Sequence, residues 1–228
     1  MKHRILRRRQ PRLLVTQLVL LLALLPMACS AEQPPAAQPK AELSPKSYVE
    51  FREAVPTSDP ERIEVIEVFL YTCPHCYRFE NDVNKWAAEQ GDDVVFMRMP
   101  ATFSQAGPAL AKAFYTADAL GVLDKLHPAL FNAIHAQGRN ISDKASIKKV
   151  FEENGVSGSD FEGTYDSFVI DSKVRRAQQM SVAYGITGVP AMVVNGKYAT
   201  SATRSGGSNQ DMLNVVDGLI AKERKTQQ

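Results

Sequence analysis

Only three cysteines, four histidines and one tryptophan occur in the 228 residues. So few thiols exclude a disulfide-stapled scaffold, and they leave no second pair for a structural zinc site, since Cys73 and Cys76 form one CxxC and Cys29 stands alone. Histidine offers no substitute. His127 and His135 are eight residues apart, whereas two imidazoles that share an ion sit at i and i+4, so both are read as ordinary helix histidines and no metal is expected. No internal repeat is present, which leaves one domain or one elaborated domain. The mostly apolar stretch Leu13 to Ala28 has sixteen residues, short of the roughly 20 that span a bilayer comfortably.

That stretch follows Lys2, Arg4, Arg7, Arg8, Arg9 and Arg12, the charge order of an export signal. An uncleaved anchor is the alternative. Pro11 and Arg12 stand where a twin-arginine signal would turn apolar, so ordinary unfolded export is expected. Without residues 1–28 the chain keeps 21 basic against 25 acidic residues, a net charge of about −4, so the basic pI belongs to the leader and no nucleic-acid partner is expected. Leu25-Pro26-Met27-Ala28-Cys29 resembles a bacterial lipoprotein cleavage box with Cys29 as the lipidated residue, although Pro26 stands where leucine is usual. Cleavage after Ser30 would instead discard Cys29, and either outcome removes the odd thiol. Ala31 to Pro45 holds four prolines and little apolar surface, the composition of a flexible tether.

What the chain does have is Cys73-Pro74-His75-Cys76. Two thiols three positions apart fit one helical turn, so they can close into a small disulfide ring and reopen with little backbone movement. Ile63 to Tyr71 before them reads as a buried strand, and Phe79, Val83 and Trp86 after them repeat at helical spacing. Cys73 therefore falls at a helix N-terminus, where free amides and the helix dipole favour a thiolate. His75 can add a donor or a positive charge to the same sulfur. Cys73 is read as the attacking and leaving sulfur, and Cys76 as the less exposed partner that resolves a mixed disulfide.

At period two, Ile63, Val65, Glu67, Phe69 and Tyr71 share a face, which places Glu67 among apolar side chains on the strand that leads to Cys73. A carboxyl desolvated there could relay the proton that thiol chemistry moves; alternatively it reaches a polar rim or pairs with a basic residue. Ser47 to Val55 offers a short strand or turn, and Asp93 to Met99 a second strand. Four helical patterns follow. Pro108 opens the first, which Gly121 closes; Leu123 to Ile134 carries the second, with a break near Pro128. The third runs from Ser142 to Gly155, and the fourth starts at Ser159, capped with Glu162, with Phe161, Tyr165 and Phe168 on one face. Some seventy residues without a strand are too many for a loop, so they form an inserted helical subdomain. A helix ending at Gly185, the segment Gly188-Val189-Pro190, an apolar strand, an Asn195-Gly196 hairpin turn and a helix from Asn209 to about Arg224 complete the chain.

This order of parts resembles the thioredoxin superfamily, and within it the DsbA family of periplasmic dithiol oxidases. The resemblance covers roughly residues 61–224 and rests on Cys73-Pro74-His75-Cys76-Tyr77-Arg78-Phe79-Glu80, on Ala119-Leu120-Gly121-Val122 with Asp124-Lys125, and on Gly188 to Met192 with Asn195 to Tyr198. It implies an α/β, thioredoxin-like fold with an inserted helical subdomain. The chain then divides into a signal peptide (1–28), a flexible tether (29–46), a thioredoxin-like domain in two pieces (47–103 and 172–228) and the insertion (104–171). It further implies that Val189-Pro190 is cis and lies beside Cys73, that the backbone of Val189 pairs with an extended substrate, and that Glu67 matches the family's buried acid. The proline-rich tether and Cys29 depart from the soluble forms and point to a lipoprotein-type relative.

An acidic Cys73 thiol and a strongly oxidising couple are properties of that family, carried over with the resemblance. Reduced, unfolded exported proteins are the expected substrates, and a DsbB-like membrane quinone reductase the expected reoxidant, with no dissolved cofactor. A groove over the site, formed in part by the insertion, is expected to hold the unfolded polypeptide. The alternatives are a reductase or isomerase of the same fold, or a tethered peptide-binding module with an incidental disulfide. Pro74-His75 argues against a strong reductant, and no dimerisation domain of the kind a dedicated isomerase wants is evident before the core.

Overall fold

The computed structural model describes residues 43–226. The segments expected to be an export signal and a tether, with Cys29, lie outside the described residues as far as residue 42. Among the described residues no helix is long and apolar enough to cross a membrane.

Strand β2 (Ile63–Phe69) is buried along its whole length and organises the sheet. It runs parallel to β3 (Val94–Pro100) and antiparallel to β4 (Ala191–Val194). Beyond β4 lie β5 (Tyr198–Ser201) and the short edge strand β1 (Val49–Glu50), giving the order β1-β5-β4-β2-β3. A strand covered on both faces needs a nearly continuous apolar sequence, and β2 supplies one apart from Glu64 and Glu67. Ile63 and Val65 pack with helices α1 (Pro74–Ala88) and α8 (Asn209–Thr226). Trp86 Nε1 donates to Asp217 Oδ1 at 2.7 Å and pins these two helices together. Ile66 and Val68 face the other way, toward Ala177 of α6 (Phe168–Ala183).

Between β3 and β4 the chain forms α2 (Gly107–Ala119), α3 (Leu123–His135), α4 (Lys144–Glu153), α5 (Gly158–Tyr165) and α6. Leu110, Phe114, Leu126, Leu130, Phe151 and Phe161 make their core, and Phe69, Tyr71 and Cys76 belong to the same cluster. The insertion is thus packed directly on the end of β2 that leads into the cysteines.

Three local expectations are corrected. α3 runs through Pro128 without a break; a proline there removes one backbone bond, which burial of Leu126, Leu130 and Phe131 outweighs. The cap of α5 is Ser157, whose Oγ accepts from Asp160 N–H at 3.1 Å, so Ser159 lies inside the helix. Phe168 is 78% exposed and belongs to the first turn of α6, with the Arg175 guanidinium over its ring. α6 also spans residues 171 and 172, where the sequence drew the end of the insertion. A short helix, α7 (Ala202–Ser205), follows β5.

The hairpin between β4 and β5 has Asn195 at φ 51° and Gly196 at φ 61°, the pair of positive angles that a type I′ turn needs. Gly196 O also accepts from Val55 N–H at 2.9 Å, so the strap before β2 lies directly on the turn. A Cβ on residue 196 would run into the Val55 carbonyl. Gly196→Ala combines that collision with a disfavoured φ and is expected to cost about 2–4 kcal/mol, read as a fall in Tm of roughly 5–10 °C in thermal unfolding. An unchanged Tm would mean that the strap yields freely.

Candidate functional site

Cys73 caps the N-terminus of α1, with extended backbone (φ −87°, ψ 115°) and Pro74 in the first turn, where a missing N–H costs nothing. Both Cys73 and Cys76 are free thiols in this structure. Cys73 is partly exposed and Cys76 fully buried, the asymmetry expected of an attacking and a resolving sulfur. Cys73 Sγ accepts from the Cys76 N–H at 3.4 Å and lies 3.7 Å from the carbonyl oxygen of Val189. The Val189-Pro190 bond is cis, and it brings that carbonyl to the sulfur across 116 residues of sequence.

The two thiols are driven apart electrostatically. Cys73 is lowered to about 5, first by the hydrogen bond from the Cys76 thiol; partial burial opposes this, and the N–H groups of Cys76 and His75 and the His75 charge assist. Cys76 is pushed far up, because its S–H donates a hydrogen bond to the Cys73 sulfur and so holds its proton, because it is buried, and because it faces the Cys73 and Glu67 charges. His75 itself is exposed, and its Nδ1 lies 2.9 Å from an Arg78 guanidinium nitrogen. Its backbone N–H acts on Cys73 ahead of its ring.

Glu67 is fully buried and does not reach a rim. It sits opposite Arg98 in the β2–β3 register, and Arg98 Nε donates to Oε2 at 3.1 Å, while Oε1 has no partner among the described residues. Burial raises its pKa to about 8 against the pull of Arg98, and neighbouring Glu80 adds to the rise. Glu80, on the buried face of α1, accepts from His127 and Asn84 and lies 3.7 Å from Arg98. His127 Nδ1 is 2.8 Å from the Tyr71 hydroxyl, and His135 Nε2 is 2.7 Å from the Tyr71 carbonyl. The two histidines are therefore not ordinary helix residues: both fasten the insertion to the loop that precedes Cys73. Sequence reasoning missed Tyr71, Glu80, Arg98 and His127. Its one available signal was an acid and an imidazole on otherwise apolar helix faces, Glu80 beside Phe79 and Val83, His127 beside Leu130 and Phe131.

A cleft of about 970 Å³ adjoins the cis-proline, lined by Phe51, His75, Tyr184, Val189, Pro190 and Thr203 among others. None of its lining residues comes from 104–171; this cleft is built by the sheet domain and the C-terminal end of α6. No group of three or more acidic, histidine or cysteine side chains suited to a metal occurs among the described residues.

The sequence family described as "DSBA-like thioredoxin domain" matches residues 95–215. That match begins after the cysteines, so it rests on the insertion, the cis-proline loop and the last helix. "Thiol:disulfide interchange protein DsbA" of Pseudomonas syringae pv. tomato is 42% identical over 181 residues, covering 79% of this chain and 84% of the relative. The protein of the same name from Azotobacter vinelandii is 40% identical over 182 residues, covering 80% and 85%. The crystal structure of Pseudomonas aeruginosa DsbA superposes with a TM-score of 0.76 at 39% identity, covering 79% of this chain and 94% of that one. With a thioredoxin-like fold, a CxxC at the head of α1 and this degree of likeness over most of its length, the chain belongs to the DsbA family.

Proposed function

We infer that this protein is a thiol:disulfide oxidoreductase that passes its Cys73–Cys76 disulfide to reduced, newly exported proteins in the periplasm. The observation that carries the direction of transfer is the acidic, partly exposed Cys73 at the head of α1 beside a buried Cys76. A substrate thiolate attacks Cys73 Sγ, the Cys73–Cys76 bond breaks, and Cys76 leaves and takes up a proton. A second substrate thiolate then attacks the substrate sulfur of the mixed disulfide and expels Cys73 as a thiolate. The substrate loses two electrons and gains a disulfide; the enzyme ends as the dithiol.

The low pKa makes Cys73 a good leaving group and stabilises the reduced enzyme, which is what makes its disulfide oxidising. Glu67, buried and close enough for its charge to act on Cys76, is the group we assign to giving and taking that proton. The Val189 backbone pairs with an extended substrate strand, and the cleft beside Pro190 receives the rest of the peptide. A membrane quinone reductase of the DsbB kind restores the disulfide, and a lipid on Cys29 holds the enzyme near it.

Equilibration with glutathione tests the direction of transfer. In a buffer poised at about −200 mV the enzyme is expected to be mostly dithiol, measured by trapping free thiols and weighing the protein. A protein that remains disulfide-bonded there is a reductant of the thioredoxin type, and the oxidase assignment fails.

A further inference from the structure

Glu67 and Glu80 share one arginine. Arg98 lies 3.1 Å from Glu67 Oε2 and 3.7 Å from Glu80 Oε2, and both acids are buried. A single cation cannot hold two desolvated carboxylates, so one acid keeps its proton. The choice between them depends on the other donors. Glu67 has Arg98 alone, and its Oε1 is without a partner among the described residues. Glu80 has two more, Asn84 Nδ2 at 3.4 Å and His127 Nε2 at 3.1 Å.

The state of the imidazole follows from its two neighbours. Its other nitrogen, Nδ1, meets the hydroxyl of Tyr71 at 2.8 Å, and that hydroxyl is held deep in the core as the neutral phenol. Phe69, Phe114 and Phe131 surround the ring edge-on, so burial keeps His127 neutral despite Glu80. A neutral imidazole carries one N–H. With that N–H on Nδ1, two donors would face each other at Tyr71 unless the phenol turned away, and a bare Nε2 would face a carboxylate. With it on Nε2, every group is satisfied: Tyr71 donates to Nδ1 and Nε2–H donates to Glu80.

We propose that His127 is a positioning residue of the redox site: its Nε2–H fixes the negative charge on Glu80 and so leaves the proton on Glu67, on the side of Cys76. Besides Tyr71, Glu67, Glu80 and Arg98, the titratable groups around this chain of bonds are Cys76 and His135, and His135 is engaged with the Tyr71 carbonyl. The hydrogen bonds of His127 go to Tyr71 and Glu80, not to the sulfurs. It acts through Glu80, across the joint between the insertion and α1, and the use of the stored proton in exchange rests on the function proposed above.

The test is a titration of the Glu67 and Glu80 side-chain carboxyl carbons by NMR in the full-length dithiol protein, comparing wild type with His127→Gln and His127→Leu. Glutamine places an amide N–H near the Nε2 position and should keep the Glu67 midpoint within about half a pH unit. Leucine removes the donor, and the Glu67 midpoint should fall by about one unit or more, a tenfold fall in its ratio of protonated to ionised form at a given pH, while Glu80 rises. If the leucine variant does not fold, His127→Asn serves instead, because its amide reaches Tyr71 but not Glu80 and should shift Glu67 in the same way. Equal midpoints in wild type and the leucine or asparagine variant, or a glutamine variant that shifts as far as leucine, would overturn the proposal. The readout needs no turnover. A failed titration therefore leaves the exchange activity standing, and absent exchange with the expected titration faults only the activity.

Discussion

With Cys73 replaced by serine, oxidation of a reduced, unfolded substrate is expected to fall at least about a thousandfold, to the rate at which the substrate oxidises alone. The reason is covalent. Each step of the exchange forms or breaks a bond at the Cys73 sulfur, and a hydroxyl can neither form the enzyme disulfide nor leave from a mixed one. Cys76→Ala should fail differently. It keeps the nucleophile but loses the thiol whose hydrogen bond does most to lower Cys73, so the sulfur becomes less acidic, no enzyme disulfide can form, and a mixed disulfide can no longer be released by Cys76 and waits on a second substrate thiol. Free-thiol counts on the substrate, with mass spectrometry for the adduct, separate the two variants. Undiminished oxidation by the serine variant would leave a peptide-binding module with an incidental disulfide as the better description.

The contrast between those two cysteines was legible in the sequence, because it depends on local order: a buried strand, a turn, and a helix that begins at Cys73 with proline in its first turn. The Asn195-Gly196 turn and the helices of the insertion were legible for the same reason, since their periodicity and punctuation are read within a few residues. The Val189-Pro190 geometry came from resemblance alone, as nothing local in that dipeptide specifies a cis bond. The polar chain behind the site was not legible. Tyr71 and His127 are 56 residues apart, and Glu80 and His127 are 47 apart, so only tertiary packing brings them together. Seen singly, each is a polar residue on an apolar face, and the pattern is equally compatible with a solvated edge. For Glu67 the sequence left both a relay and an ion pair open. Folding supplies the ion pair with Arg98 and full burial together, so the pairing does not remove the acid's capacity to hold a proton.

The dithiol form is expected to gain stability relative to the disulfide form as the pH rises from about 5 to about 8.5. In the folded dithiol, Cys73 titrates near 5, whereas an unfolded cysteine titrates near ~8.5. Between these values the unfolded chain holds one more proton on this sulfur, so stability increases with pH, by at most about 1.4 kcal/mol per unit. The contribution is fully present above the unfolded value and is lost as the pH falls through the folded one. Because the sulfur is partly exposed, solvent screening reduces the full effect to roughly 2 kcal/mol. Cys76, raised in the fold, works the opposite way only above the ordinary cysteine range, which ends the gain there. Glu67 also opposes the trend below its raised pKa, and comparing the two redox forms cancels the part of its titration common to both. Against the thiolate stands the four-residue disulfide ring, which restrains the unfolded chain by about 2 kcal/mol at every pH. The disulfide form should therefore melt higher at pH 5, and its lead should be erased by about pH 8, a relative change of roughly 5 °C in Tm. Thermal unfolding of the two forms across this range is the measurement. A difference that does not change with pH would mean that the Cys73 thiol is as reluctant to ionise as any free cysteine, and the physical basis for an oxidising disulfide would be gone.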